Sequence, residues 1–236
     1  MPIPLLLLPG LLCDGRLWRD CLPALGGLVD PRIADLSQDD SVAGMASRAL
    51  ELVAGEASFA VAGLSMGGYV AQEVWRQARG RIERLALLDT SARPDTPEQT
   101  KQRKALIELS HMGQFKGVTP RLMPSLVHAS RLETPLAQEV MDMAARIGQA
   151  GFIRQQQAIM TRPDSRPDLP GINVPTLIAC GAQDVLTPPG LHEEMAGLIP
   201  AARLVRFEGA GHLPPMEVPD ATAAALKDWL TLPRSA

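Results

Sequence analysis

The sequence predicts an α/β fold: a mostly parallel sheet flanked by helices, with a helical lid inserted before the last strands. Three observations carry that prediction. Short, nearly continuous apolar runs alternate with stretches whose apolar residues recur every three or four positions, the pattern of buried parallel strands alternating with amphipathic helices. A glycine turn, Gly63-Leu64-Ser65-Met66-Gly67-Gly68, stands between one such strand and one such helix. Between residues 91 and 166 strand-like runs disappear and only helical spacing remains.

Taken in order, Ile3-Pro4-Leu5-Leu6-Leu7-Leu8 is apolar throughout and closed by Pro9-Gly10, as a central strand covered on both faces would be. A loop follows over 11–14, then a short helix over 17–25 and a short strand over 32–36. Ser41 or a neighbour caps a helix reaching about residue 54. Phe59-Ala60-Val61-Ala62 is the strand that enters the glycine turn. The stretch 69–79 leaves it as a helix, with Val70 and Val74, and Ala71, Trp75 and Ala78, at helical spacing. Leu85-Ala86-Leu87-Leu88-Asp89 is a further buried strand. Helical spacing then recurs over 100–112, 120–128, 135–147 and 151–160. The sheet resumes at 174–180 and runs out into Gly181-Ala182-Gln183-Asp184. A helix over 190–198, a strand over 202–207, the loop Glu208-Gly209-Ala210-Gly211-His212 and a helix over 222–230 complete the chain. Residues 1–90 and 167–236 therefore form the core, and 91–166 the lid.

A chain of 236 residues can bury one sizeable core. Hydrophobic and charged contents of 46% and 21% are those of an ordinary globular protein, and a net charge of −3 gives no reason to expect nucleic acid or an anionic membrane as partner. Three cysteines, Cys13, Cys21 and Cys180, without paired spacing argue against a disulfide framework and fit a reducing compartment. The apolar start has no basic residue before it, is broken by Pro9-Gly10 and is too short to span a bilayer, so it reads as a strand and the protein as cytoplasmic. Between 92 and 167 lie 11 Lys or Arg against 7 Asp or Glu, an excess that fits either a solvated helix surface or an anionic substrate.

Ser65 sits at the centre of a G-x-S-x-G turn in the strand-turn-helix context that raises a nucleophile above the carboxyl end of a sheet. The Met66 amide, opening the helix, supplies half of an oxyanion site. The other half is expected from the loop after the first strand, at Leu11, with Leu12 the alternative. A serine hydroxyl needs a base, and the base an acceptor that holds its tautomer. His212 lies in a glycine loop after a strand, whereas His111, His128 and His192 lie within expected helices. Asp184, in the loop after the preceding strand, is the first choice of acid; Asp89, ending an earlier strand, is its rival. The order Ser65, Asp184, His212 is the one that accompanies this turn. No His-x-x-x-His or Cys-x-x-Cys spacing points to zinc, and Gly63 to Gly68 lacks the Lys-Ser or Lys-Thr of a nucleotide loop, so no metal or cofactor is expected.

On these motifs the chain resembles the α/β-hydrolase superfamily almost end to end, and small bacterial esterases and enol-lactonases within it. The family's nucleophile turn falls on Gly63 to Gly67, its late acid loop on Gly181 to Asp184, and its histidine loop on Gly209 to Pro215. Pro9-Gly10 stands where many members have His-Gly, and the family's first hairpin is missing, which implies a reduced sheet of about six strands. The resemblance implies a serine hydrolase cleaving a small-molecule ester or lactone; a homodimer is compatible with it. A C–C bond hydrolase, an acyltransferase or perhydrolase, and a slow-turnover receptor share the same framework.

Overall fold

A computed structural model describes residues 1–200 and 202–233. Its elements are β1 (Ile3–Leu8), β2 (Val29–Ile33), α1 (Val42–Glu51), β3 (Phe59–Leu64), α2 (Met66–Ala78), β4 (Ile82–Leu88), α3 (Pro97–Leu109), α4 (Met123–Leu126), α5 (Pro135–Met160), β5 (Thr176–Gly181), α6 (Pro189–Leu198), β6 (Ala202–Phe207), α7 (Pro214–Glu217) and α8 (Pro219–Thr231). The six strands form one sheet in the order β2-β1-β3-β4-β5-β6, and every pairing is parallel. Parallel strands need crossovers, and the helices that make them cover both faces.

That arrangement explains the unbroken apolar runs. In β1, Leu5 and Leu7 pack into one core with Trp18, Leu226 and Trp229, while Leu6 and Leu8 enter the opposite core with Met45, Val70 and Val74. Each fully buried Leu contributes about 2 kcal/mol of apolar transfer. The edge strands β2 and β6 are only partly buried, and their sequences are correspondingly polar.

Several boundaries differ from the expected ones. The second strand is Val29–Ile33, not 32–36: Pro31 masks it, yet on an edge strand the missing N–H costs no ladder bond. The helix expected over 17–25 is instead two 3-10 segments, Gly15–Trp18 and Leu22–Leu28. Between β4 and β5 no strand occurs among the described residues, as expected, but the helices are cut differently. The first starts at Pro97 under a Thr96–Gln99 capping box and ends in a π-helical turn, Ser110–Gln114. Only Met123–Leu126 is helical within 120–128. The two helices expected over 135–147 and 151–160 are one run, kinked at Gly148 where φ is 69°. No helix among the described residues is long and apolar enough to cross a membrane.

The chain reverses its direction of travel across the sheet between β1 and β3. In open parallel sheets this switch point is where the carboxyl ends of the strands leave a crevice. The turn after β3 lies there, beside the loop after β1.

Candidate active site

The β3–α2 connection is a single residue. Ser65 adopts φ 55° and ψ −117°, a conformation that costs a non-glycine residue about 1–3 kcal/mol. Its surroundings impose it. The Ser65 N–H donates to the Leu88 carbonyl (2.9 Å), and the Ser65 carbonyl accepts from the Gly68 N–H (2.9 Å) and the Thr90 hydroxyl (2.7 Å). The turn closes only because its flanks are bare: a Cβ on Gly63 would lie 2.1 Å from the Gly67 oxygen, and one on Gly67 would lie 2.0 Å from the Leu8 oxygen. Gly68 has a similar duty, since its Cβ would meet Thr90 Oγ1 at 2.4 Å.

Two further strand-end loops bring the imidazole and the carboxylate to this turn. His212 Nε2 lies 2.8 Å from Ser65 Oγ, and His212 Nδ1 lies 2.8 Å from Asp184 Oδ2. The acid and histidine loops touch so closely that a Cβ on Gly181 would stand 1.8 Å from the Gly211 oxygen. Asp184 also accepts from the Leu186 N–H (2.8 Å), the Thr187 N–H (3.1 Å) and the Thr187 hydroxyl (2.6 Å). Burial raises its pKa, but the bond and charge of His212 and the bonds from Thr187 outweigh burial and hold it below the ordinary carboxylate value. An ionised Asp184 only accepts, so the proton sits on Nδ1. Nε2 of the neutral ring is then free to accept from the serine hydroxyl.

The rival acid is placed differently. Asp89, wholly buried at the end of β4, accepts at Oδ1 from the Gly181 N–H (2.8 Å) and makes no hydrogen bond to His212. Burial, reinforced by the charge of Asp184, pushes its carboxyl well above the usual carboxylate range. Asp89, Asp184 and His212 offer three ligand atoms within 4.8 Å of one another, the one such grouping among the described residues. Asp184 is already taken up by His212 and the 186–187 turn.

Of the two candidate amides after β1, Leu12 N–H donates to Gln155 Oε1 (2.9 Å) and is occupied. Neither the Leu11 nor the Met66 N–H donates to a described residue. Leu11, Ser65 and His212 line one cavity of about 700 Å³, whose remaining wall comes largely from the segment between β4 and β5. Cys13 also lines it, but burial pushes its thiol up to about 12. His192 is buried; its Nε2 accepts from the Thr90 N–H (2.9 Å), and burial lowers its pKa to about 4.

Glu217 carries no sequence motif of its own, yet it anchors the histidine loop. Wholly buried, its carboxylate accepts from the N–H groups of Gly211 (3.0 Å) and Leu213 (2.9 Å), on either side of His212, and of His128 (2.6 Å) in the inserted segment. The His212 N–H itself donates to the Leu126 carbonyl (3.0 Å). The available signal was a lone acid in the apolar, proline-rich stretch Leu213-Pro214-Pro215-Met216-Glu217-Val218-Pro219, where only a buried structural duty explains a charge.

A family model described as the alpha/beta hydrolase family matches residues 5–225. Among solved structures, a thermophilic esterase from Thermogutta terrifontis, with malate bound, is 30% identical and superposes with a TM-score of 0.88 over 98% of this chain and 90% of that one. The enol-lactonase from Burkholderia xenovorans LB400 is 25% identical, with a TM-score of 0.88 over 98% and 92% of the two chains. The pimeloyl-[acyl-carrier protein] methyl ester esterase of Neisseria meningitidis is 27% identical over 175 residues, 72% of this chain and 68% of that protein.

Proposed function

The chain belongs to the alpha/beta hydrolase family, and on that premise we propose that it hydrolyses a carboxylic ester or lactone of a small molecule through a covalent acyl-enzyme. The observation that carries this reading is the unbroken relay from Ser65 Oγ to His212 Nε2 and from His212 Nδ1 to Asp184 Oδ2, each step 2.8 Å. The esterase and enol-lactonase relatives support the reaction class.

In this mechanism Ser65 Oγ bonds to the substrate carbonyl carbon as its proton passes to His212 Nε2. Asp184 stays ionised and stabilises the imidazolium that forms. The oxyanion accepts from the Leu11 and Met66 amides, a donor of this kind contributing roughly 3 kcal/mol. Collapse breaks the bond to the alcohol oxygen, which leaves with the proton from Nε2. Water then gives a proton to Nε2 and its oxygen to the acyl carbon, releasing the carboxylic acid and restoring Ser65. Residues 91–166 serve as a lid that shapes the acyl pocket over the core of 1–90 and 167–236, and Glu217 fixes the pose of the histidine loop.

A fluorophosphonate probe tests the assignment. Labelling is expected on Ser65, absent in Ser65→Ala and strongly slowed in His212→Ala, with steady alcohol release from short esters. Labelling that persists in Ser65→Ala removes Ser65 as the nucleophile; a single burst without turnover favours a receptor.

A further inference from the structure

The cavity over Ser65 is lined by no Asp or Glu, but by Arg93, Arg103, Lys116 and Arg162. Two of these form a unit. Arg162 is only 8% exposed and lies with its guanidinium over the ring of Tyr69, 4.3 Å from the centroid. Tyr69 stands one turn along α2 from Ser65, whose carbonyl its N–H reaches. Arg162 Nε donates to the Arg93 carbonyl (3.0 Å), and Nη1 donates to the Ile159 carbonyl (3.1 Å) and to Asp95. Arg103 approaches the same carboxylate from its other oxygen, Nε to Asp95 Oδ2 (2.7 Å), and gives Nη1 to Gln156 Oε1 (2.8 Å).

The arrangement holds more positive charge and more donors than the fold consumes. Asp95 is the one described carboxylate paired with either arginine, so one of the two charges is left unanswered. No described residue accepts from Nη2 of Arg103 or of Arg162. A guanidinium nine-tenths buried, stacked on an aromatic ring and fixed at two of its three nitrogens, is preorganised for an anion at the third. Exposed surface arginines need no such partner, whereas a largely desolvated charge lining a cavity without acids gains from one.

We propose that Arg162 and Arg103 together bind a carboxylate on the substrate, so that the site selects esters or lactones whose acyl or alcohol part ends in an anion. This rests on the ester-hydrolase reading above. The carboxylate is bonded to the two guanidinium groups and is no part of the carbonyl that reacts. It is held equally in ground and transition states, and its effect falls mainly on KM.

The test compares monoethyl adipate with ethyl hexanoate, which has the same ester and acyl length but no carboxylate. In wild type kcat/KM is expected to favour the charged ester by about 10- to 100-fold, the range of one charge-assisted hydrogen-bonded contact, with the preference shrinking as salt rises. Arg162→Gln and Arg103→Gln should each bring the ratio toward one, and Arg162→Lys should retain part of it. Arg103 is the less buried of the two, so Arg103→Gln carries the test if Arg162→Gln does not fold. A wild-type ratio of one or below, or a ratio that neither variant moves, overturns the proposal while leaving the hydrolase reading intact. If wild type cleaves neither ester and takes no fluorophosphonate label at Ser65, the hydrolase reading fails by itself; wherever neither ester is cleaved, calorimetric titration with adipate decides on the anion site. Binding weakened about tenfold in Arg103→Gln supports the anion site, and no binding to wild type overturns it.

Discussion

The strand-end loops and the helical segment between β4 and β5 meet around one cavity, yet they are built on opposite terms. In the loops, three backbones approach so closely that Gly63, Gly67 and Gly181 have no room for a single extra carbon, and each polar group of Asp184 has a partner. The inserted segment has slack. Leu106, Leu109, Met112 and Leu122 are exposed, its first helix gives way to a π-helical turn, and Gly113 and Gly148 would meet nothing with an added Cβ. The Ser65–His212–Asp184 cluster is held where the chain has no freedom, and the cavity wall is drawn from where it has some. Rigid site geometry with an adaptable wall is how one fold accepts many substrates.

The sharpest test of this contrast is on the loops. Ser65→Ala and His212→Ala should each lower ester turnover by about 10⁴-fold or more. Asp184→Asn should cost about 10⁴-fold by losing the tautomer, while Asp89→Asn, which removes no bond to His212, should cost less than about tenfold. Steady-state kinetics with a short ester reads all four, and the reverse order for the two aspartates would exchange their roles.

Stability separates the regions next. Gly181→Ala forces a carbon against the histidine loop and should cost about 3 kcal/mol in urea unfolding. Gly113→Ala meets only its own left-handed φ of 75°, and about 1 kcal/mol is expected. Equal losses would erase the distinction.

His192 gives a pH signature intermediate between them. Its folded pKa of about 4 lies below the ordinary 6.5, so the unfolded chain binds the extra proton first and stability is lost as pH falls below 6.5. Between pH 7 and pH 5 this amounts to about 2 kcal/mol. His192→Gln should flatten that part of the urea-midpoint profile, and a parallel drop in both proteins would assign it elsewhere. The smallest effect is expected at the wall: Leu109→Gln should change stability by no more than about 0.5 kcal/mol, and read out instead as a shift in KM for apolar esters.

What could be read from the sequence follows the same division. Five of the six strands, and the loops that bring Ser65, Asp184 and His212 into hydrogen-bond contact, are legible because buried parallel strands must be apolar on both faces and because the turns between them tolerate few residue types. The second strand was misplaced because Pro31 mimics a breaker, and only its position at the sheet edge makes it harmless. The helices of the insertion were located but wrongly divided. Gly148 sits in a single kinked helix rather than between two, and Pro124, admissible only in a helix's first turn, confines the α-helix within 120–128 to Met123–Leu126. Gln155, which reaches from α5 to the Leu12 amide and the Leu36 carbonyl, and Glu217 leave no periodic trace, since each is defined by bonds to backbone far away in sequence.

Glu217 has one more implication. Because its carboxylate grips Gly211, Leu213 and His128 at once, and the His212 N–H is anchored on Leu126, residues 126–128 cannot swing outward without tugging on the imidazole. That corner is a fixed hinge-post. Room for a bulkier side chain is found elsewhere in the inserted segment, at exposed Leu109 and at Gly113, where an added carbon meets nothing.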